Sequence, residues 1–327
     1  MAGAKELKDE FGRRLNYLRI SVTDRCNFRC TYCMPAEGVK CLSHNEILRY
    51  EDLRFLCSVF SELGVKKFRF TGGEPLVRKD MVPFLGQIKA DLPHIKTALT
   101  TNASLLEGCA KELAATGIDS LNISLDTLNP EKFTSVTRIG SIDRVFAGIT
   151  AAREAGIKNI KLNAVLVRNF NDKEIPELLS FARNEGLLLR LIEFMPLEEE
   201  VWSKDSFISG TEILSMLPEG KAWEKIIGRS EDDGPAQYYL NRKTGDKIGI
   251  ITAVSNHFCK NCNRLRLSAE GSLRSCLFNP VETPLKELIV ARDRKALSEK
   301  ILEAVSNKPR CWNDINKGQL HMSGIGG

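Results

Sequence analysis

From residue 17 to residue 195 the apolar positions of this chain switch repeatedly between a period of two and a period of 3.6. Short stretches at 18–22, 67–71, 97–101, 121–125, 160–167 and 188–194 read as strands. Longer ones between them, at 51–63, 81–90, 106–116, 142–155 and 174–185, read as helices. In the first helix Leu53, Leu56, Phe60 and Leu63 recur on one face. Gly64, Gly117 and Gly156 follow three of the helices, where a left-handed cap is expected. Such alternation predicts parallel strands joined by helical crossovers. Six repeats predict an α/β fold, an incomplete (β/α)6 TIM-like barrel, with chemistry at the C-terminal ends of its strands. After about residue 225 the rhythm breaks. Strand-like stretches at 238–241, 247–252 and 265–268, with a helical segment at 284–306, predict a smaller mixed C-terminal region closing the open side. The expected division is 1–225 for the barrel and 226–327 for that region.

The polar and glycine residues gather at the expected strand ends. The first strand runs into Cys26, Cys30 and Cys33. The second ends in Thr71-Gly72-Gly73-Glu74-Pro75, whose paired glycines let backbone approach a ligand closely. The third ends in Thr100-Thr101-Asn102 and the fourth in Ser124-Leu125-Asp126. The fifth carries Lys161 and Asn163, and the sixth runs into Glu193-Phe194-Met195-Pro196. One Gly-Gly turn is ordinary loop chemistry; six such ends in succession are not.

Three thiols in a CxxxCxxC run cannot easily satisfy one another, because short loops strain disulfides. They can converge on one metal centre. A cubane [4Fe–4S] cluster is usually held by four thiolates, so three leave one iron open to a second molecule. A zinc site is the alternative. Cys259, Cys262 and Cys276 form a second group, with thirteen residues between its last two members. Here a structural zinc closed by His257 and a second iron–sulfur cluster both stand. Arg264 and Arg266 alternate beside this group and so project from one face of an extended stretch. Their permanent charge and planar donor fork suit phosphate, which a zinc knuckle does not need. Ordinary surface arginines are the alternative.

Composition narrows the choice. The 43% apolar content of the 327 residues suits a well-filled core of one large or two smaller domains. No segment reaches the roughly 18 apolar residues of a spanning helix, and the N-terminus lacks the apolar core of a secretory signal. A cytoplasmic protein with no membrane partner is expected. Ten cysteines there point to metal ligation or reduced thiols rather than disulfides. Cys41, Cys57, Cys109 and Cys311 stay without a role, Cys57 lying on an apolar stripe as ordinary core. The net charge of +5, from 47 basic and 42 acidic residues, is too small to announce nucleic acid but admits a small anion.

With Tyr32 between its last two cysteines and Arg-Ile-Ser-Val-Thr-Asp-Arg leading in, the first group resembles the signature of radical S-adenosylmethionine (SAM) enzymes. Residues 26–35, 70–76, 122–126 and 259–267, with the C-terminal His321-Met322-Ser323-Gly324-Ile325-Gly326-Gly327, together resemble the GTP 3′,8-cyclase family of molybdenum-cofactor biosynthesis. The resemblance covers essentially the whole chain. Ala103 departs from it, where the family commonly has Gly after Thr-Thr-Asn.

The resemblance implies two [4Fe–4S] clusters and SAM as cofactors. Cys26, Cys30 and Cys33 would hold the SAM cluster, and Tyr32, Gly73, Ser124 and Met195 would contact SAM. Cys259, Cys262 and Cys276 would hold a second cluster whose open iron binds guanine. Arg19, Arg69, Thr100, Lys161, Arg264 and Arg266 would bind GTP, with Lys67 and Arg190 as further triphosphate contacts or rim salt bridges. Gly326 and Gly327 would reach the active site and support catalysis. The implied reaction converts GTP to (8S)-3′,8-cyclo-7,8-dihydroguanosine 5′-triphosphate, a SAM-derived radical taking hydrogen from ribose C3′ before C3′ joins C8. The implied partners are an electron donor such as flavodoxin or ferredoxin, a downstream cyclic pyranopterin monophosphate synthase, and a second copy in a homodimer. Two rivals differ in what they require. A peptide-modifying radical SAM maturase would carry more auxiliary cysteines and no basic set. A zinc-containing nucleic-acid binder would interleave aromatics with a concentrated basic face, whereas this chain has five Tyr and three Trp.

Overall fold

Leu18 and Ile20, Phe68 and Phe70, Leu121 and Ile123, Leu189 and Leu191 are buried pairs, each separated by a polar or small residue on the opposite face of its strand. That alternation organises the molecule. The computed structural model describes residues 6–196, 202–228 and 234–312. Six parallel strands stand side by side in chain order: β1 (Tyr17–Ser21), β2 (Lys67–Thr71), β3 (Lys96–Thr101), β4 (Ser120–Ser124), β5 (Ile160–Leu166) and β6 (Leu188–Glu193). Their apolar faces meet the crossover helices α1 (Tyr50–Glu62), α2 (Met81–Asp91), α3 (Ala110–Ala115), α4 (Pro130–Thr137), α5 (Ile142–Glu154) and α6 (Ile175–Asn184). Helix α1 buries Leu53, Leu56, Cys57 and Phe60, so Cys57 is indeed core.

The rest of the chain adds α7 (Gly210–Met216), β7 (Trp223–Lys225), β8 (Gln237–Asn241), β9 (Lys247–Ile251), β10 (Arg264–Leu267), β11 (Ser272–Arg274), β12 (Thr283–Pro284), α8 (Lys286–Val290) and α9 (Arg294–Ser306). It widens the sheet at both edges. Strand β10 lies parallel to β1, and β9 lies parallel to β6. The order across the sheet is β12-β11-β10-β1-β2-β3-β4-β5-β6-β9-β8-β7, open at both outer strands. The (β/α)6 unit is thereby extended to eight adjacent parallel strands, with short antiparallel strands outside them. Among the described residues no helix is long and apolar enough to cross a membrane.

Local departures from the periodicity have local causes. The helix expected over 106–116 begins only at Ala110, and in the loop before it Ala103 stands in the left-handed region, φ 65°. That conformation favours glycine, which accounts for the family's Gly at this position. The helical stretch expected over 284–306 is broken at Arg292, φ 57°, and restarts as α9 where Asp293 Oδ1 accepts from Ala296 N at 3.0 Å. Helix α4 was not expected; the Asn129 side chain caps it, accepting from Lys132 N at 3.0 Å, and Pro130 follows.

Candidate active site

The polar faces of the parallel strands enclose a cavity of about 340 Å³. Its wall is not the layered apolar packing that fills a closed barrel. Strand register sets the pattern. Arg264, Tyr17 and Lys67 form one rung across β10, β1 and β2, and Arg266, Arg19 and Arg69 form the next. Neighbouring strands lie about 4.8 Å apart. Lys161 on β5 and Arg190 on β6 line the same cavity.

Cations this close repel one another, and burial sharpens the conflict. Burial first, then Arg190, Lys67 and Arg69, bring Lys161 down to about 8. Burial brings Arg19 and Arg190 each to about 10, and lowers Arg266 well below the usual arginine range. Arg69 donates to Tyr17 Oη at 2.5 Å, to Leu99 O at 3.2 Å and to Thr100 Oγ1 at 3.3 Å. Arg190 donates to Asn163 Oδ1 at 2.9 Å, not to a carboxylate. Among the described residues, the carboxylates lining the cavity are committed to other donors. Glu74 accepts from Thr101 Oγ1 at 2.8 Å and Asn102 N at 2.7 Å, and Glu193 from Gly210 N at 2.6 Å and Val254 N at 2.7 Å. Asp126 accepts from Val165 N at 2.8 Å and from the Tyr32 hydroxyl. Such a set is built for a polyanion.

The first cysteine group follows β1, and its loop is clamped from two sides. Arg138 donates to Arg29 O and Met34 O, both at 2.9 Å. Gly73 N and Glu74 N reach Thr23 O and Arg25 O, both at 2.8 Å. A Cβ on Gly73 would stand 2.3 Å from Arg25 O, so only glycine permits this approach. Phe28 N donates to Cys26 Sγ at 3.4 Å. Burial raises the Cys30 thiol strongly, and Cys33, Asp126 and Cys26 add to it. A buried thiol whose ionisation two neighbouring sulfurs disfavour fits a metal centre, whose positive charge deprotonates coordinating thiols. Tyr32 packs edge-on against Phe194.

The second group lies at the opposite end of the lumen. Cys259 and Cys262 precede β10, whereas the first group follows the parallel β1, so the cation rungs stand between them. Burial alone would raise the Cys262 thiol, but Lys308 and Arg264 outweigh it and bring it to about 6, so the sulfur is a thiolate at neutral pH. Residues 308–312 strap this group down. Lys308 donates to Arg264 O at 3.0 Å and to Ser275 O. Arg13 donates to Cys259 O at 2.9 Å, Arg310 O at 3.1 Å and Pro309 O at 2.7 Å. His257 does not complete a Cys₃His set: its Nε2 accepts from Trp312 and its Nδ1 lies 2.9 Å from Ala253 O. Cys311 adjoins Cys259, raising it after burial has done so.

None of the ten cysteines is in a disulfide. Among the described residues no three His, Cys, Asp or Glu side chains converge on the position of one bare ion. The donor chemistry, three thiols outside any disulfide on the cavity wall at each end, fits an iron–sulfur cluster at both.

Residues 20–182 match the radical SAM superfamily, and residues 187–313 match Molybdenum Cofactor Synthesis C. The chain is 40% identical to the GTP 3′,8-cyclase of Thermodesulfovibrio yellowstonii over 98% of its own length and 100% of the relative's. It belongs to the GTP 3′,8-cyclase family. The GTP 3′,8-cyclases of Peptoclostridium acidaminophilum and Geobacter sulfurreducens are 43% and 42% identical over 93% of this chain, and 92% and 93% of theirs. Streptococcus suis SuiB bound to S-adenosylmethionine shares the fold, with a TM-score of 0.56 at 17% identity over 89% of this chain and 66% of that one. As a GTP 3′,8-cyclase the protein is a radical SAM enzyme of molybdenum-cofactor biosynthesis that uses SAM and [4Fe–4S] clusters.

For this cyclase the structure brings together every site residue expected from the sequence that lies in its described part. Cys26, Cys30, Cys33, Cys259, Cys262 and Cys276 line the one cavity with Tyr32, Gly73, Ser124 and Met195. So do Arg19, Lys67, Arg69, Thr100, Lys161, Arg190, Arg264 and Arg266. Gly326 and Gly327 lie outside the described residues. Tyr17, Asn122, Lys308 and Trp312 are among the lining residues not expected as site residues. The Asn122 Oδ1 atom is buried without a hydrogen-bond partner among the described residues, and so can accept from a ligand. Tyr17 and Asn122 were within reach of the period-two reading, but Lys308 and Trp312 follow the last helix with no pattern to mark them.

Proposed function

We propose that this GTP 3′,8-cyclase binds GTP along the lumen between its two cysteine groups. The triphosphate rests on the cation rungs, the guanine faces Cys259, Cys262 and Cys276, and SAM lies beside Cys26, Cys30 and Cys33. One observation carries this reading: the rungs of Arg264, Lys67, Arg266, Arg19 and Arg69 lie between two triads of thiols in a single cavity. When bound, the clusters and SAM supply one-electron reduction and a carbon radical able to take hydrogen from the ribose.

The chain's own residues position and enclose. Gly73 lets the Gly-Gly turn lie against the cysteine loop, and Tyr32, Ser124 and Met195 complete the SAM wall. Arg19, Arg69, Arg190, Arg264, Arg266, Lys67 and Lys161 hold phosphate oxygens through charge-assisted bonds, and Thr100 contacts GTP beside Arg69. Holding the C3′ hydrogen against the radical in a dry lumen converts a bimolecular encounter into a positioned one. Residues 1–225 would supply the SAM half and 226–327 the second cluster and much of the GTP site, with Gly326 and Gly327 supporting catalysis. The product of the reading is (8S)-3′,8-cyclo-7,8-dihydroguanosine 5′-triphosphate, passed to a cyclic pyranopterin monophosphate synthase in the cytoplasm. Flavodoxin or ferredoxin would supply electrons, and a homodimer is the proposed assembly.

Arg266→Ala tests the phosphate site. Arg264 is the less clean target, because it also hydrogen-bonds Cys262 and lies 4.5 Å over the Phe258 ring. A charge-assisted hydrogen bond contributes about 1.5–3 kcal/mol, so Arg266→Ala weakens GTP about ten- to a hundredfold in calorimetry. Guanosine lacks the phosphates, and its affinity changes far less. Equal losses for both ligands would assign Arg266 to the fold or the base instead.

A further inference from the structure

Tyr17 sits inside the cation cluster. It is 5% exposed and lines the cavity. On its rung it faces Arg264 of β10 and Lys67 of β2. Its hydroxyl oxygen accepts from Arg69 Nε at 2.5 Å, and the Lys67 ammonium lies 5.1 Å from its ring centroid. Arg19 projects from the same face of β1, and Arg266 stands beside Arg19 on β10. Lys161 of β5 and Arg190 of β6 reach it across the lumen.

A phenol ringed by fixed cations, with no carboxylate among the described hydrogen-bond partners of the Arg69 guanidinium, is placed to serve as an internal anion. We propose that Tyr17 supplies the counter-charge of this cluster before substrate binds, and gives it up by taking a proton from solvent when the triphosphate of GTP arrives. The proposal rests on the reading that the triphosphate lies on these rungs. Burial alone would push the phenol up, but Arg69, Arg19 and Lys67 together bring it down to about 7. Triphosphate negative charge on the same cations cancels that pull. The neutral phenol then keeps its acceptor lone pair for Arg69 and gains an O–H to donate to a phosphate oxygen. Tyr17 is thus a positioning residue, holding Arg69 and Lys67 in the geometry that the substrate later takes over.

Two groups in this cluster exchange protons near neutral pH. Lys161, at about 8, also becomes more basic beside a triphosphate and contributes uptake of its own. Calorimetry therefore compares wild type, Tyr17→Phe and Lys161→Met as anaerobically reconstituted holoenzymes. GTP is titrated at pH 8 in two buffers of different ionisation enthalpy, which yields the protons taken up per GTP bound. Wild type is expected to take up more than one. Tyr17→Phe is expected to lower the uptake by about one proton, and Lys161→Met by about half of one, from their positions relative to pH 8. Between pH 7 and 9 the wild-type Kd for GTP rises more steeply than that of Tyr17→Phe, by about tenfold per pH unit. Guanosine binds wild type without this uptake, a comparison that needs no variant. Equal uptake by wild type and Tyr17→Phe while both bind GTP overturns the proposal, as does equal uptake with guanosine and GTP. Failure of the wild-type holoenzyme to bind GTP would overturn the GTP reading and this inference with it.

Discussion

Serine in place of Cys26, Cys30 or Cys33 is expected to abolish reductive cleavage of SAM. The three sulfurs are in no disulfide, line one cavity and follow β1 in a loop held by Arg138 and by the Gly73 and Glu74 amides. None of those clamps uses a thiol, so the loop keeps its path when one sulfur becomes an oxygen. At position 26 the hydroxyl can still accept from Phe28 N. What is lost is soft thiolate ligation, for which a hard hydroxyl is a poor substitute on iron. The measurement is 5′-deoxyadenosine formed from SAM with dithionite, alongside iron content and thermal unfolding. The expected result is product at background, iron lowered by about half and a melting temperature shifted by a few degrees at most. Cys41→Ser, at an exposed site, serves as the control and behaves as wild type. Undiminished 5′-deoxyadenosine in all three variants would sink the assignment.

The second large effect is expected at the other end of the lumen. Cys262→Ser removes the sulfur that Lys308 and Arg264 hold as a thiolate. The first group lies beyond the other end of β1, whose five residues span about 16 Å at 3.3 Å per residue. Its loop shares none of the 308–312 strap. The variant should therefore lose about half of its iron and still cleave SAM, while GTP cyclisation falls to background. Cys259→Ser and Cys276→Ser should do the same. Variants that lack this iron yet bind GTP normally and make product would show the second group to be structural.

Much of this arrangement was legible because it rests on a period of two. Residues alternating along β1, β2, β5 and β6 place their apolar members under the helices, so their polar members could only face the lumen. The cysteine spacings are local and were equally readable. What local pattern cannot convey is which strands pair. The register that sets Arg264 beside Tyr17 joins residues 247 positions apart in the chain. Helix α4, only eight residues long, carried too few apolar repeats to stand out. The loop before α3 carries Ala103 in a conformation that alanine rarely takes. Tyr17 lies one residue before the strand expected at 18–22, and a tyrosine between asparagine and leucine reads as core until its cation neighbours are known. His257 shows the converse: its spacing from the second cysteine group suggested a ligand, and only the contacts with Trp312 and Ala253 show both ring nitrogens engaged.

The central claim is that GTP lies in the lumen with its ribose C3′ hydrogen presented toward SAM. It is tested most directly by incubating the reconstituted holoenzyme anaerobically with SAM, dithionite and GTP carrying deuterium at C3′. Mass spectrometry of the 5′-deoxyadenosine reads the transfer. One deuterium per molecule, matched by equimolar 3′,8-cyclo product, is the predicted result; unlabelled 5′-deoxyadenosine formed at full rate with GTP recovered unchanged would contradict the claim.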